Sequence, residues 1–241
     1  VSAQDEQAAS AATEVAAPAN DLAALTAGAP EVPLHQALKT KFIEGGPGFM
    51  ALIIICLIIG LALAIERILY LSFSKTNTKK LVAAVEKALE NGGIEAAKKV
   101  CRETRGPVAS IFYQGLLRYD QGIDVVEKTV VSYGSVQMSK MESGLSWISL
   151  FIAIAPSHGF LGTVIGMIQA FDAIQAAGDI SPNVVAGGMK VALITTVGGL
   201  IVAMILQVFY NYILAKIDTL SIDMENSSIE LIDVLSNYKA K

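Results

Sequence analysis

Three long apolar runs constrain this chain before anything else does. Residues 48–71, 146–171 and 184–213 are each long enough to cross a hydrocarbon core, which takes roughly 20 mostly apolar residues as a helix. A backbone in lipid has to satisfy its own hydrogen bonds, so each run is expected to be helical. With the positive mean hydropathy of the 241-residue chain, the runs place it among membrane proteins. The expected fold is all-α, with three transmembrane helices.

Orientation follows from where Lys and Arg fall. The region between the first and second runs holds Lys75, Lys79, Lys80, Lys87, Lys98, Lys99, Arg102, Arg105, Arg118, Lys128 and Lys140, and the link between the second and third holds none. The positive-inside rule puts that middle region and the carboxyl end in the cytoplasm, with the amino terminus outside. The chain then divides into an exported tail (1–45), a first span (46–71), a cytoplasmic helical domain (72–145), a second span (146–172), a periplasmic loop (173–183), a third span (184–213) and a cytoplasmic helical tail (214–241). The first residues are rich in Ala, Pro and acids and lack an initiator Met. Such a segment cannot bury a core and reads as a disordered exported tail left after removal of a signal peptide, or marks only where the chain was cut.

The middle region reads as short amphipathic helices. Thr76 or Thr78 can cap the first, whose Leu81, Val85, Ala88 and Leu89 share a face; Asn91-Gly92-Gly93 is expected to end it. Ile94, Ala97, Val100 and Cys101 mark a second helix, and Val108, Ile111, Phe112, Gly115 and Leu116 a third after Gly106-Pro107. Such helices need something to pack against, and extensions of the spans are the available partners. From Asp124 the chain is expected to run helically through Gly144 into the second span. Beyond the third span, Ile217, Leu220, Met224, Leu231, Val234 and Tyr238 recur at heptad spacing, interrupted at Ser227. Two of the three spans are thus expected to reach far into the cytoplasm.

Nothing in the sequence points to catalysis. It has no phosphate-cradling glycine loop, no nucleophile elbow and no cluster of metal ligands, and His35 and His158 fall in different compartments. Cys56 and Cys101 likewise sit in different environments, which suggests neither a disulfide nor a metal site. No enzyme, cofactor, metal or nucleic-acid partner is expected.

The polar and small residues inside the spans are more informative. Gly159, Gly162 and Gly166 give the second span a smooth strip for another backbone, with Thr163 beside it. Ala192, Thr196, Gly199 and Ala203 make a similar stripe on the third, which suits either a helix contact or a narrow pore wall. Each threonine hydroxyl can simply bond back to its own helix; a ring of hydroxyls lining a conduit requires several copies of the chain. Thr195 and Thr196 point about 100° apart: Thr196 shares the small-residue stripe and is assigned to the conduit, Thr195 to a helix contact. Glu66 and Arg67 read as interface anchors, as does Lys190, which can reach out toward Asp172 or Asp179. His158, after Pro156, is either a packed neutral imidazole or a titrating one. No carboxylate lies deep in any span, so a proton relay would need one from another chain.

Two blocks, APSHGFLGTVIGMIQAF (155–171) and KVALITTVGGLIVAMILQVFYN (190–211), resemble the second and third spans of the MotA/TolQ/ExbB proton-channel family, and its ExbB branch in particular. ERILYL (66–71) resembles the end of that family's first span. The resemblance implies an inner-membrane homo-pentamer around a dimer of a single-span ExbD-like protein, whose intramembrane Asp supplies the missing carboxylate. It implies coupling of the proton motive force to a TonB-like partner that drives outer-membrane import. Thr163 and Thr196 would be the pore-facing hydroxyls, with Ala192, Gly199 and His158 as further candidates. Gly159, Gly162, Gly166 and Thr195 would pack helices. Where relatives often carry a glutamate five residues before the second threonine, this chain has Val191, with Lys190 beside it. The alternatives are a TolQ-like subunit, a gliding or secretion motor stator, or a non-conducting membrane scaffold.

Overall fold

The computed structural model describes residues 34–178 and 180–240, and every regular element among them is helical. The expectations for the tail over 1–33, for Asp179 and for Lys241 lie outside the described residues. The chain separates into two units, Val1–Glu44 and Gly45–Lys241. In the first, α1 (Leu34–Glu44) is a short helix in which Lys41 pairs with Glu44 at 3.0 Å.

The second unit begins with α2 (Pro47–Ser74), whose Pro47 occupies the first turn, where a missing N–H costs no helical bond. Then come α3 (Thr78–Glu103), α4 (Pro107–Leu116), a 3-10 turn (Tyr119–Gln121), α5 (Ile123–Glu142), α6 (Leu145–Ala177) and α7 (Pro182–Ala240). Three stretches among the described residues are long and apolar enough to cross a membrane, and they lie in α2, α6 and α7. Large apolar side chains such as Ile58, Phe160, Leu193 and Met204 are exposed on these helices, as expected of surfaces made for lipid or for other chains.

Outside the spans, α3, α4 and α5 wrap the distal part of α7. Leu81, Val85, Leu89, Phe112, Val126 and Met141 share one core with Ile217, Leu220, Met224, Leu231 and Leu235. Each large side chain buried there contributes about 1.5–3 kcal/mol. A single 59-residue helix therefore both carries an apolar stretch long enough to cross a membrane and supplies a wall of the helical domain, over roughly 90 Å at 1.5 Å per residue.

Three local expectations are corrected and one holds. The cap of α3 is Asn77, whose side chain accepts from Lys80 N at 3.1 Å; Thr76 instead donates to Arg105 O at 2.5 Å, tying the end of the α2–α3 link to the α3–α4 link. The break expected at Asn91-Gly92-Gly93 is present: Gly93 leaves helical geometry (φ 69, ψ -162), and α3 is two helices that meet there at a kink. Helix does not run unbroken through Gly144: that residue sits at φ 87, α5 ends at Glu142 and α6 starts at Leu145. Ser227 does not interrupt the α7 seam. Its Oγ donates to Asp223 O at 2.5 Å, which satisfies the hydroxyl within its own helix and lets the residue be buried.

Candidate functional site

The broadest contact in the fold is between α6 and α7. Glycines make it possible by exposing bare backbone. A Cβ at Gly159 would lie 2.9 Å from Thr195 O, one at Gly166 would lie 2.6 Å from Gly188 O, and one at Gly199 would lie 2.5 Å from Ala155 O. Gly162 lies against Thr195 in the same way. Thr195 is fully buried in this contact, and its hydroxyl lies 3.0 Å from the carbonyls of Val191 and Ala192 and 3.5 Å from Gly159 O.

Beside this dry contact the two half-buried threonines meet. Thr163 Oγ1 and Thr196 Oγ1 are 2.5 Å apart, across the two helices. Thr163 also reaches Gly159 O at 3.2 Å and Ala192 O at 3.4 Å; Thr196 reaches the same two carbonyls at 3.3 and 3.1 Å. A hydroxyl has one hydrogen to give and can accept two. Whichever threonine donates to the other, the second keeps a hydrogen for a carbonyl. The pair therefore has two proton arrangements of nearly equal geometry, and reversing the bond between them exchanges one for the other. In either arrangement the pair carries no charge of its own.

The remaining expected residues separate. Ala192 and Gly199, expected along a conduit wall, are buried in the α6–α7 contact. His158 is half-buried, with Nδ1 3.1 Å from Ile154 O; against a carbonyl, Nδ1 is the donor. Lys190 is exposed. Glu66 and Arg67, expected as interface anchors, pair with each other at 3.1 Å. The Arg67 guanidinium lies against Gly144 and donates to Lys140 O at 3.5 Å, so it ties α2 to the joint between α5 and α6. Two residues that sequence reading passed over are Gln207 and Asn211, exposed amides bonded to each other at 3.1 Å inside the apolar run of α7. Their i, i+4 spacing in that run was the available signal.

Among the described residues no group of three or more His, Cys, Asp or Glu is placed to hold a metal ion. The helical domain has a cavity of about 600 Å³ lined by Glu86, Leu89, Glu90, Tyr119, Val234, Asn237 and Tyr238, remote from the threonines. In that domain, burial pushes the Cys101 thiol up to about 12.

Residues 103–226, which take in α6 and most of α7, match the MotA/TolQ/ExbB proton channel family. An ExbB homolog of Methanothermobacter thermautotrophicus, named for biopolymer transport, is 36% identical over 182 residues, covering 75% of this chain and 63% of that protein. Biopolymer transport protein exbB1 of Vibrio cholerae is 44% identical over 68 residues, 28% of this chain and 30% of that protein. The Tol-Pal system protein TolQ of Haemophilus influenzae is 27% identical over 99 residues, 41% of this chain and 43% of that protein. The chain spans less than two thirds of the length of the relatives it matches first.

Proposed function

We propose, for a chain that belongs to the MotA/TolQ/ExbB proton channel family, an ExbB-type role as the non-enzymatic channel subunit that couples proton flow to TonB-dependent import. The observation that carries this reading is the Thr163–Thr196 hydroxyl pair, in spans that hold no carboxylate deep inside them. A reversible hydroxyl relay can pass a proton but cannot hold one as a charge-neutralising acid does. The acid comes from outside the chain: a single-span ExbD-like partner with an intramembrane Asp, enclosed by a homo-pentamer of this protein. Protonation of that Asp beside the threonines biases the partner helices to rearrange, and a TonB-like protein takes up the motion. The setting is the bacterial inner membrane, with residues 1–45 in the periplasm, the α3–α5 domain in the cytoplasm and the carboxyl end inside.

Thr163→Val and Thr196→Val are the direct tests. Each removes a donor while keeping shape, and each is expected to cut proton-dependent siderophore or haem uptake about tenfold or more with the pentamer intact. Normal uptake in both would sink the relay and favour a scaffold whose threonines only pack. Lys190→Ala is expected to be tolerated better than either, and loss of transport in it with an intact assembly would reassign that lysine.

The TolQ relative supports a second reading, a subunit serving envelope constriction. Deleting the chain separates the two: the ExbB role predicts failure to grow on chelated iron, and the TolQ role predicts cell chaining with iron uptake intact.

A further inference from the structure

Gln207 and Asn211 are not used by the threonine relay. Gln207 Nε2 donates to Asn211 Oδ1 at 3.1 Å, and both side chains are exposed. Among the described residues, Gln207 Oε1 and the Asn211 amide nitrogen have no other hydrogen-bond partner. Their neighbours Ile205, Leu206, Val208 and Phe209 are apolar.

Depth follows from the register between α2 and α7, which run parallel. Gly46 lies against Val191, Gly60 against Leu206, and Ser72 accepts from Lys216 at 2.5 Å. That nearly constant offset puts Asn211 level with Glu66, where the charge-free run of α2 ends, and Gln207 about one turn deeper. Thr196 lies near the opposite end of the run, about 16 Å from Gln207 along the axis at 1.5 Å per residue. On α6, which runs antiparallel, the exposed Ser149 falls at the level of Gln207.

Direction follows from the helical repeat. At 100° per residue Gln207 comes within about 20° of Thr196, Asn211 within about 60°, and Ser149 within about 40° of Thr163. The same side of α7 continues to the exposed Asp218 in the helical domain. In the other direction it meets Ala203, Met204 and Leu200, which are apolar, before Thr196. An exposed amide with open donors and acceptors costs several kcal/mol in hydrocarbon, by about the amount an unsatisfied polar group costs there. Water reaching in along Asp218 and Asn211 would remove that cost.

We infer that Gln207 and Asn211 of α7, with Ser149 of α6, form the water-filled inner mouth of the conduit, closed off from the threonine relay by a dry interval at Leu200, Ala203 and Met204. This rests on the conduit reading given above. Protons leaving the relay side enter bulk water at Gln207, and the dry interval prevents leakage when no partner carboxylate bridges it.

The test is cysteine accessibility in the full complex, in inside-out membrane vesicles treated with a membrane-impermeant cationic thiosulfonate. The native Cys56 and Cys101 are both buried, so the parent chain is the background. Gln207→Cys and Asn211→Cys are expected to label about tenfold faster or more than Leu200→Cys in the dry interval and Ile58→Cys on the exposed apolar side of α2, and labelling is expected to at least halve proton flux. Equal rates at Gln207 and Ile58 overturn the proposal, as does fast labelling with flux unchanged. The underlying relay fails separately. Normal conduction in Thr196→Val with fast, flux-blocking labelling at Gln207 removes the threonines and leaves the wet mouth standing; a defective Thr196→Val with slow labelling removes only the mouth.

Discussion

Thr163 and Thr196 depend on each other at the scale of single atoms. Their mutual bond and the shared carbonyls of Gly159 and Ala192 require a donor on each residue, and the two methyl groups play no part in that exchange. Thr163→Ser and Thr196→Ser, which keep donor and acceptors, are therefore expected to retain uptake within about threefold of the parent chain, measured beside the valine variants. A serine variant as defective as its valine counterpart would mean that packing of the methyl is what matters. Sequence alone singled out both threonines, and it separated Thr196 from Thr195 by helical angle. It could not show that Thr163 and Thr196 touch, because their partnership is set by how closely Gly159 and Gly199 let two backbones approach. Small residues such as Ala192 and Gly199 suit a pore wall and a helix contact equally, so their burial between α6 and α7 is not legible from sequence either.

At the scale of elements, the joint between α5 and α6 is the least legible part of the fold. A lone glycine in a helical pattern is tolerated often enough that Gly144 gave no warning, yet it sits at φ 87 with Arg67 packed on its bare face. Gly144→Ala is expected to cost about 1–2 kcal/mol, from positive φ and from a Cβ only 2.8 Å from Arg67 Nε. Combining it with Arg67→Ala is expected to cost less than the sum of the two single changes, read from thermal unfolding in detergent. Strict additivity would show that Arg67 does not press on the joint. Caps and seams were misread for a related reason. Asn77 was passed over between two threonines of similar capping strength, and Ser227 looked like a gap because its bond to its own helix is invisible in a hydropathy pattern.

On the scale of the whole molecule, the apolar runs and the heptad of the tail were enough to read an all-helical chain with three membrane-crossing stretches, since length and periodicity dictate both. How α3, α4 and α5 close around α7 was not, because short amphipathic helices are compatible with many partners. That closure buries Cys101, and the raised thiol makes stability depend on pH. Below pH 9 folded and unfolded chains both hold the proton; above it the unfolded chain releases it while the folded one holds it up to about 12. Stability of the domain is thus expected to fall by up to about 1.4 kcal/mol per pH unit above pH 9. Melting temperatures of the parent and of Cys101→Ala should diverge in that window, and parallel curves would contradict the burial. The uninterrupted course of α7 has a mechanical consequence as well. After Pro182 no proline or loop interrupts the helix before Ala240, so Thr196 and Leu235 belong to one continuous rod. Roll imposed at Thr196 is expected to reach Leu235 along one continuous helix, with no hinge between them to bend.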